Sequence, residues 1–351
     1  MMLFNILLEM KNLFSICAGI LLFILAGCSD DFDYKDDPYG NFDALVEIID
    51  TRYCFLQEKD IDWQDVAARY RSFVKPETSD LELFLICAGM LDELRDGHVN
   101  LSSRFNTSYY REWWSDYPQD FDLRTLQQYY LGFNWFSTSG MMYKILDGNI
   151  GYIYYPSFSS GVSETALDYV LAILSKTDGL IIDIRNNGGG LLTNIDTYIG
   201  RFITEEIPGG YITHKTGPAH DAFSEPYPFT YKPCGVERIN YVGKPIALLT
   251  NRACYSAANA FVAVMKTLPQ VTVVGARTGG GGGLPFSSEL PNGWNVRFSA
   301  SPLYSPEGEI TEFGVDPTPG YECHSPASEL AEGRDNILET ALTLLRSQNP
   351  G

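Results

Sequence analysis

Ser256 stands where a buried strand meets a helix, a position that suits a nucleophile. Residues 246–249 are a continuous apolar run, which predicts a buried strand, and a turn at 251–253 follows it. Beyond the serine, apolar residues recur at helical spacing: Ala260, Phe261, Val264 and Leu268. A hydroxyl at a helix N-terminus lies near backbone N–H groups that stabilise developing negative charge. The alternative interpretation is that Ser256 only caps the helix.

A glycine-rich turn supplies backbone donors without side chains. Residues 179–185 (GLIIDIR) predict a second buried strand, and the turn 186–190 (NNGGG) follows it directly. Backbone N–H groups in such a turn meet the needs of an oxyanion hole, which stabilises the tetrahedral intermediate of acyl transfer. The alternative is a structural turn that needs glycine conformations. Neither this turn nor the glycine run 279–283 fits a nucleotide-binding loop.

A serine nucleophile needs a partner that takes its proton, and His98 is the candidate. It follows a predicted helix end in the stretch DGHV, whereas the other three histidines lie in loop-like sequence and are interpreted as structural: His214, His220 and His324. We expect His98 to lie at a solvent-facing cleft, with a pKa near ~6.5 that suits a base at neutral pH. The competing interpretation is that His98 only caps its helix and that Lys266 or Lys244 is the base.

Six short motifs occur in order along the chain: DGHV, GYIYYPSF, DIRNNGGG, NRACYSAAN, GARTGGG and ITEFGVDP. Together they resemble the C-terminal processing (tail-specific) peptidases and the core of the tricorn protease, over residues 41–320. The resemblance implies a ClpP/crotonase-like α/β core with an N-terminal helical subdomain. It also implies a serine endopeptidase without metal or cofactor, with Ser256 as nucleophile and with Gly189 and the amide of Ala257 as oxyanion donors.

Two departures from the family refine the expected mechanism. Members with a Ser-Lys dyad carry a lysine in a TxGKG segment, but residues 278–282 read TGGGG here, and Lys266 is ten residues along the serine's own helix. The tricorn-like branch instead uses a histidine and a glutamate, which correspond to His98 and Glu312. That branch has a serine before its histidine where this chain has Gly97. Too few residues separate His98 from the core for the PDZ domain of the processing peptidases.

A second class of function stays open. The family resemblance extends to retinoid-binding repeats that use this fold without evident proteolysis, so the fold alone does not distinguish a peptidase from a non-catalytic peptide- or small-ligand-binding protein. The presence of serine, glycine turn, histidine and acid together favours the peptidase.

Charge and the N-terminal sequence indicate a compartment. The chain has 25 Lys+Arg against 44 Asp+Glu in 351 residues, a net charge of −19, which argues against a nucleic-acid partner. Residues 13–27 suit a signal peptide, and Leu25-Ala26-Gly27-Cys28 resembles the lipobox in which the cysteine is acylated. We therefore expect a lipid anchor at Cys28 and a location in the bacterial cell envelope, at the outer membrane, facing the periplasm or the surface. An ordinary signal peptide or a signal anchor is the alternative.

The pattern along the chain predicts five segments. They are a signal peptide (1–28), an acidic tether (29–40), a helical subdomain (41–102), a connecting segment (103–148) and the α/β peptidase core (149–347). The helical subdomain includes a capping box at Ser79 and Glu82, and Asn41 is the expected cap of its first helix. The cysteine spacing supports neither a disulfide framework nor a zinc site, and the oligomeric state is left open.

Overall fold

A computed structural model describes residues 34–348, apart from 113–116, 118, 236, 237 and 240. Its centre is a six-stranded sheet in the order β2-β3-β4-β5-β8-β9. The strands are β2 (Phe136–Thr138), β3 (Met141–Leu146), β4 (Ile150–Tyr154), β5 (Gly179–Asp183), β8 (Ile246–Thr250) and β9 (Val271–Gly275). The strands β4, β5, β8 and β9 run parallel, whereas β2 and β3 pair antiparallel at one edge.

Helices cover both faces of this sheet, which is why β4, β5 and β8 are buried at every position. On one face lie α5 (Glu164–Leu174), α6 (Thr193–Ile199) and α7 (Ala257–Met265), and α9 (Asn336–Gln348) lies on the other. Side chains along β5 alternate between the two cores: Leu180 and Ile182 face the first group of helices, and Ile181 faces α9.

A second, antiparallel sheet is built from segments that are far apart in the chain. Its order is β1-β11-β6-β7, and β10 pairs with β11. The strands are β1 (Asn100–Ser102), β6 (Ile207–Ile212), β7 (Tyr227–Tyr231), β10 (Gly283–Glu289) and β11 (Asn295–Tyr304). The strands β6 and β7 lie in the glycine- and proline-rich stretch 208–243, where the sequence pattern had not predicted them.

Three N-terminal helices pack on this second sheet. They are α1 (Pro38–Arg52), α2 (Trp63–Arg71) and α3 (Asp80–Asp92), and their apolar faces share one core with Trp294, Val296 and Phe298. The helical subdomain is therefore not a separate module, because part of its core comes from β11 and the loop before it. None of the helices in the described part of the chain is both long and apolar enough to cross a bilayer.

The structure corrects two predicted boundaries. The first helix begins at Pro38, within the predicted tether, because proline suits the first helical turn and the Asp37 side chain accepts the Gly40 N–H at 2.8 Å; the expected cap, Asn41, lies inside the helix. The sheet begins at Phe136 rather than at 149, since β2 and β3 belong to it.

Other features of the predicted organisation agree with the structure. The capping box of α3 is confirmed. The predicted connecting segment also holds a short helix, α4 (Leu123–Thr125), that continues into a π-helical turn, Leu126–Leu131. The remaining helix is α8 (Ala327–Ala331). The architecture is the mixed α/β fold with N-terminal helices that the sequence predicted.

Candidate active site

The turn that carries Ser256 lies at the carboxyl edge of the parallel sheet. The strands β5 and β8 are paired neighbours, so the glycine turn after β5 and the turn after β8 meet at the same edge. Ser256 has φ 57° and ψ −121°, a conformation that non-glycine residues rarely adopt. Its side chain makes no capping hydrogen bond to α7. The cap interpretation is therefore wrong, and the geometry is that of a serine displayed on a strained turn.

Backbone hydrogen bonds on both sides hold this strained turn. The Ser256 N–H donates to the Gly280 carbonyl at 2.8 Å, and the Gly279 N–H donates to the Cys254 carbonyl at 2.8 Å. On the other side, the Tyr255 N–H donates to the Asn187 carbonyl at 3.1 Å. Strain of roughly 1–3 kcal/mol persists only where neighbouring structure determines the conformation, as these clamps do here.

His98 reaches the serine from the helical subdomain. Its Nε2 lies 3.0 Å from Ser256 Oγ. Two contacts fix its backbone: the His98 N–H donates to Asp96 Oδ1 at 2.8 Å, and Arg297 Nη1 donates to the His98 carbonyl at 3.2 Å. The ring packs against the ring of Tyr255, with centroids 5.0 Å apart. The structure thus brings together the predicted nucleophile and the predicted base.

Burial changes the expected chemistry of His98. The residue is 5% exposed, so the predicted solvent-facing position is wrong. Burial lowers its pKa to about 4, although the neighbouring Asp96 carboxylate raises it, so the expected value near 6.5 is also wrong. For Nε2 to accept the serine's proton, the ring proton must sit on Nδ1. That atom is buried and makes no hydrogen bond of normal geometry among the described residues. The Gly283 backbone is nevertheless close enough to raise the pKa of His98 as a hydrogen-bond partner of the ring, against the larger effect of burial.

Glu312 makes no hydrogen bond or ion pair with the His98 side chain. The Glu312 Oε1 atom lies 2.7 Å from Lys59 Nζ, and Oε2 accepts the Gly282 N–H at 2.9 Å. Burial, together with the Asp96 carboxylate, raises the pKa of Glu312 to about 7 against the opposing effect of Lys59. The structure therefore places the predicted third member near the pair but does not make it a hydrogen-bond partner of the imidazole.

Asp96 is the acid closest to the histidine, and sequence reasoning missed it. Its Oδ1 accepts from the His98 N–H and from the Tyr255 hydroxyl at 3.3 Å, and its Oδ2 accepts from Tyr53 and Ser299, each at 2.9 Å. Although burial alone would raise it, Lys59 and then His98 lower the pKa of Asp96 to about 2. Its spacing was a usable signal, because an aspartate often accepts the N–H two residues later.

Tyr255 occupies the space next to Gly97. A Cβ built at Gly97 would lie 3.0 Å from the Tyr255 hydroxyl oxygen, so a serine side chain at position 97 would crowd it. The hydroxyl of Tyr255 lies beside Asp96, to which it donates a hydrogen bond at 3.3 Å. Tyr255 lies directly before the nucleophile, but nothing in the sequence distinguished it from a core aromatic residue.

The two predicted oxyanion donors differ. A Cβ at Gly189 would lie 2.8 Å from both Ser256 Cβ and the Ala257 nitrogen, so only glycine fits against the nucleophile. The Gly189 N–H, however, donates to Asn187 Oδ1 at 2.9 Å. The amide of Ala257, at the first position of α7, donates to no other residue in the described part of the chain. The structure thus presents one of the two expected donors, and the other is engaged.

The alternative bases lie elsewhere. Lys266 Nζ donates to the Asp316 carbonyl at 2.8 Å, and Lys244 Nζ donates to the Thr177 carbonyl at 2.6 Å. The three histidines interpreted as structural do not contact Ser256 either; His214 bonds Ser301, His220 bonds Asp50 and His324 lies near Asp120. In the part of the chain that the structure describes, no cluster of three or more His, Cys, Asp or Glu side chains is arranged to hold a metal ion.

An open cavity of about 410 Å³ adjoins the site. It reaches Lys59, Tyr255 and Glu312 from one side, and its rim carries arginines at positions 95, 252 and 277. Lys59 and Glu312, two of the charged groups near His98, therefore line a cavity that opens to solvent.

Comparison with known proteins places this architecture in a class. The profile of peptidase family S41 matches residues 149–319, and that of the tricorn protease C1 domain matches residues 34–92. A crystal structure of a candidate peptidase from Parabacteroides merdae is 46% identical and superposes with a TM-score of 0.84 over 90% of this chain and 99% of that one. Mature CPAF, at 13% identity, has the same fold, with a TM-score of 0.69 over 90% of this chain and 98% of that one.

A curated relative matches a smaller part. The carboxy-terminal processing protease CtpB of Bacillus subtilis is 26% identical over 180 residues, which is 50% of this chain and 34% of that protein. The matched segment thus spans about a third of the relative's length. The fold and the Ser256 turn are those of a serine peptidase scaffold. The chain belongs to peptidase family S41.

Gly281 provides a test of how the site depends on Tyr255. It has φ +77°, and a Cβ there would lie 2.5 Å from the Tyr255 ring, whereas Gly308 has φ +85° and a Cβ there would meet nothing within 4 Å. Both alanine substitutions impose similar backbone strain, about 1–2 kcal/mol, but only Gly281→Ala displaces the ring under His98. We expect Gly281→Ala to slow labelling of Ser256 by a fluorophosphonate about 10-fold or more, ~1.4 kcal/mol.

Gly308→Ala serves as the matched control, and its labelling rate should equal that of the wild type. Equal rates for the two variants would show that the position of Tyr255 does not matter to the serine.

Proposed function

We propose that this chain is a serine endopeptidase in which Ser256 is the nucleophile and His98 is the base. The observation that carries the proposal is the 3.0 Å contact between His98 Nε2 and Ser256 Oγ. That contact joins a buried imidazole with a lowered pKa to a serine on a strained turn. A neutral imidazole accepts a proton, and a displayed hydroxyl can approach a substrate carbonyl.

The proposed reaction follows from these positions. Ser256 Oγ bonds to the carbonyl carbon of a peptide bond while its proton passes to His98 Nε2. The imidazolium then gives that proton to the leaving amine, and an acyl-enzyme ester remains. A water molecule, deprotonated by the same imidazole, hydrolyses the ester and restores the hydroxyl. The Ala257 amide is the first oxyanion donor, and the Gly189 amide becomes the second once it leaves Asn187.

The proposed third member, Glu312, acts at a distance. It lies beyond Lys59 rather than against the imidazole. Its charge, with that of Asp96, would stabilise the imidazolium that forms during the reaction, which is the electrostatic part of an acid's role in a triad. We therefore propose Glu312 as the third member of a Ser-His-Glu arrangement, with Asp96 as the carboxylate that is nearer to His98.

A non-catalytic binding protein is the second candidate. One observation favours it: the Gly189 amide donates to Asn187, so the oxyanion hole holds one open donor instead of two. On this alternative, the cleft beside Ser256 would bind a peptide or small ligand without cleaving it. Labelling and hydrolysis distinguish the two candidates.

The proposed substrate is a peptide or protein, because the relatives are processing proteases. We also propose that the protein is lipid-anchored through Cys28 in a bacterial cell envelope. There it would act on substrates in the periplasm or at the cell surface. Cys28 and the whole predicted signal peptide lie outside the described residues, so this proposal rests on the resemblance of residues 25–28 to a lipobox.

Ser256→Ala tests the nucleophile. We expect a fluorophosphonate probe to label the wild-type protein and to leave Ser256→Ala unlabelled, because the probe bonds to an activated serine oxygen. Ser163→Ala is the matched control: Ser163 is the N-cap residue before α5 and accepts the Ala166 N–H, so its loss removes a cap but no nucleophile. Casein hydrolysis measured in parallel should follow the labelling. Binding of peptides by an unlabelled wild-type protein would support the non-catalytic candidate instead.

Glu312→Gln tests the acid. We expect it to lower kcat more than Glu309→Gln does, because Glu312 is buried beside Lys59 whereas Glu309 is exposed. By comparison with acids of known triads, the loss extends up to ~10⁴-fold. Initial rates of peptide hydrolysis measure it. Small and equal losses in the two variants would place the supporting acid elsewhere, with Asp96 as the next candidate.

Cys28→Ser tests the anchor. The substitution removes the thiol that acylation requires, so we expect the protein to leave the membrane fraction or to remain unprocessed. Fractionation of cells and a gel shift of the precursor measure both outcomes. A mutant that is processed normally and still sediments with membranes would contradict the lipid anchor.

A further inference from the structure

Lys59 is a buried cation beside the site that the proposed mechanism does not use. We propose that Lys59 is a positioning residue, whose ammonium bridges Asp96 and Glu312. It thereby holds the loop that carries His98 in place and sets the charge around the imidazole. This inference rests on the proposed function of the His98–Ser256 pair. It concerns the stretch between α1 and α2, which no sequence motif marked.

The side chain of Lys59 is 6% exposed and surrounded by acceptors. Its Nζ lies 2.7 Å from Glu312 Oε1 and 3.6 Å from Asp96 Oδ2. It also donates to the Leu94 carbonyl at 3.2 Å and lies 3.4 Å from the Arg95 carbonyl. These are the carbonyls of the segment between α3 and His98. The ammonium therefore fixes the backbone that delivers the histidine.

The Glu312 end of the contact reaches the serine. The Glu312 side chain accepts the Gly282 N–H, and its carbonyl accepts the Gly281 N–H at 3.2 Å. The neighbouring Gly280 carbonyl is the acceptor that holds the Ser256 N–H. One lysine thus connects the loop that carries the base to the glycine segment that clamps the nucleophile.

The charges also balance around this lysine. Lys59 carries one positive charge and Asp96 one negative charge, and Glu312, whose pKa is raised to about 7, adds a second negative charge when it is ionised. The trio then has a net charge of −1, which an imidazolium would balance. Burial lowers the pKa of Lys59, but Asp96 and Glu312 together raise it by more than burial lowers it. The pKa is therefore raised overall, and the ammonium stays charged. Without Lys59, two buried carboxylates would face each other and the imidazole.

Other charged and titratable groups face the cluster, and each must be held constant in a test. They are Tyr53, Cys54, Glu58, Tyr255 and Arg297. Lys59 and Arg297 are the cations that lower the pKa of His98. Removal of Lys59 should therefore raise the pKa of His98. A loss of packing that let water reach the ring would raise it too, because burial lowers it, so a variant that keeps the positive charge is needed to separate the two effects.

Lys59→Met is the first variant, because methionine keeps much of the length of the chain without the charge. We expect the rate of hydrolysis to fall at least about 10-fold and the acid limb of its pH profile to move to higher pH by about one pH unit, since a nearby like charge has been removed. Lys59→Met/Glu312→Gln should keep the acid limb of Lys59→Met, because Glu312, whose pKa is raised to about 7, is already protonated at that pH, and its rate should stay low. Lys176→Met, at an exposed site, is the control that should match the wild type.

A second readout separates this inference from the proposed function. Nitrogen-15 NMR of the histidine side chains reports the pKa of His98 directly, and His98→Gln assigns its signals among those of four histidines. A wild-type protein without hydrolysis, but with a His98 pKa that rises in Lys59→Met, would contradict the proposed function and support the inference. Unchanged rate and unchanged pKa in Lys59→Met would overturn the inference.

Lys59→Arg covers the case in which Lys59→Met does not fold. Arginine keeps the positive charge, so its acid limb and its His98 pKa should stay close to those of the wild type even if the rate falls. A shift in Lys59→Arg towards higher pH, without a loss of charge, would contradict the electrostatic role.

Discussion

The contact between His98 and Ser256 is the constraint on which the site depends, because its two ends belong to different parts of the fold. Ser256 is fixed by the parallel sheet and the glycine turns around it, whereas His98 lies in the loop that follows α3. The core that the N-terminal helices share with Trp294, Val296 and Phe298 helps to hold the two within 3.0 Å, as do the contacts of Asp96, Arg297 and Lys59. A shift of one part against the other by an ångström would break the contact.

The charge states of the groups around that contact depend on their burial. A histidine taken out of water resists protonation, and a carboxylate taken out of water resists ionisation. One cluster of side chains offsets both effects. Its hydrogen bonds and Lys59 keep Asp96 ionised, and Lys59 and the Gly282 N–H bind Glu312. The imidazolium formed during proton transfer would therefore arise beside negative charge that is already in place, so little reorganisation is needed.

Sequence reasoning found the parts of the site whose chemistry is local. The Ser256 turn and the glycine turn each follow a buried strand within a few residues, so each was found from its own stretch of sequence. That the two turns meet follows from the pairing of β5 with β8 in the structure. His98 followed from its motif, but its burial did not, because the residues that cover it, such as Tyr255 and Arg297, are distant in sequence. Lys59 carried no signal for the same reason. The strands β6 and β7 were missed because their sequence is rich in glycine and proline.

Glu312 is a second residue whose side-chain partner the sequence did not reveal. Its position before the GVDP motif indicated the right neighbourhood, yet the atom that faces it is Lys59 Nζ rather than the imidazole. Side-chain partners across a domain contact depend on distances of a few ångströms, and a one-dimensional pattern does not contain them. Asp96 was closer to detection, since it precedes the histidine by two residues and accepts its N–H.

The pH dependence of fluorophosphonate inactivation tests the central claim most directly, namely that a buried, neutral His98 activates Ser256. The second-order rate constant should be measured after brief exposure between pH 3 and pH 8, with circular dichroism to confirm that the protein stays folded. Because burial lowers the pKa of His98 to about 4, the rate should hold as the pH falls through neutrality and decline through about pH 4, as the imidazole gains a proton. A half-loss near pH 6.5 that persists in Glu312→Gln, which lacks the carboxyl whose pKa is raised to about 7, or wild-type reactivity in a folded His98→Gln variant, would contradict the account.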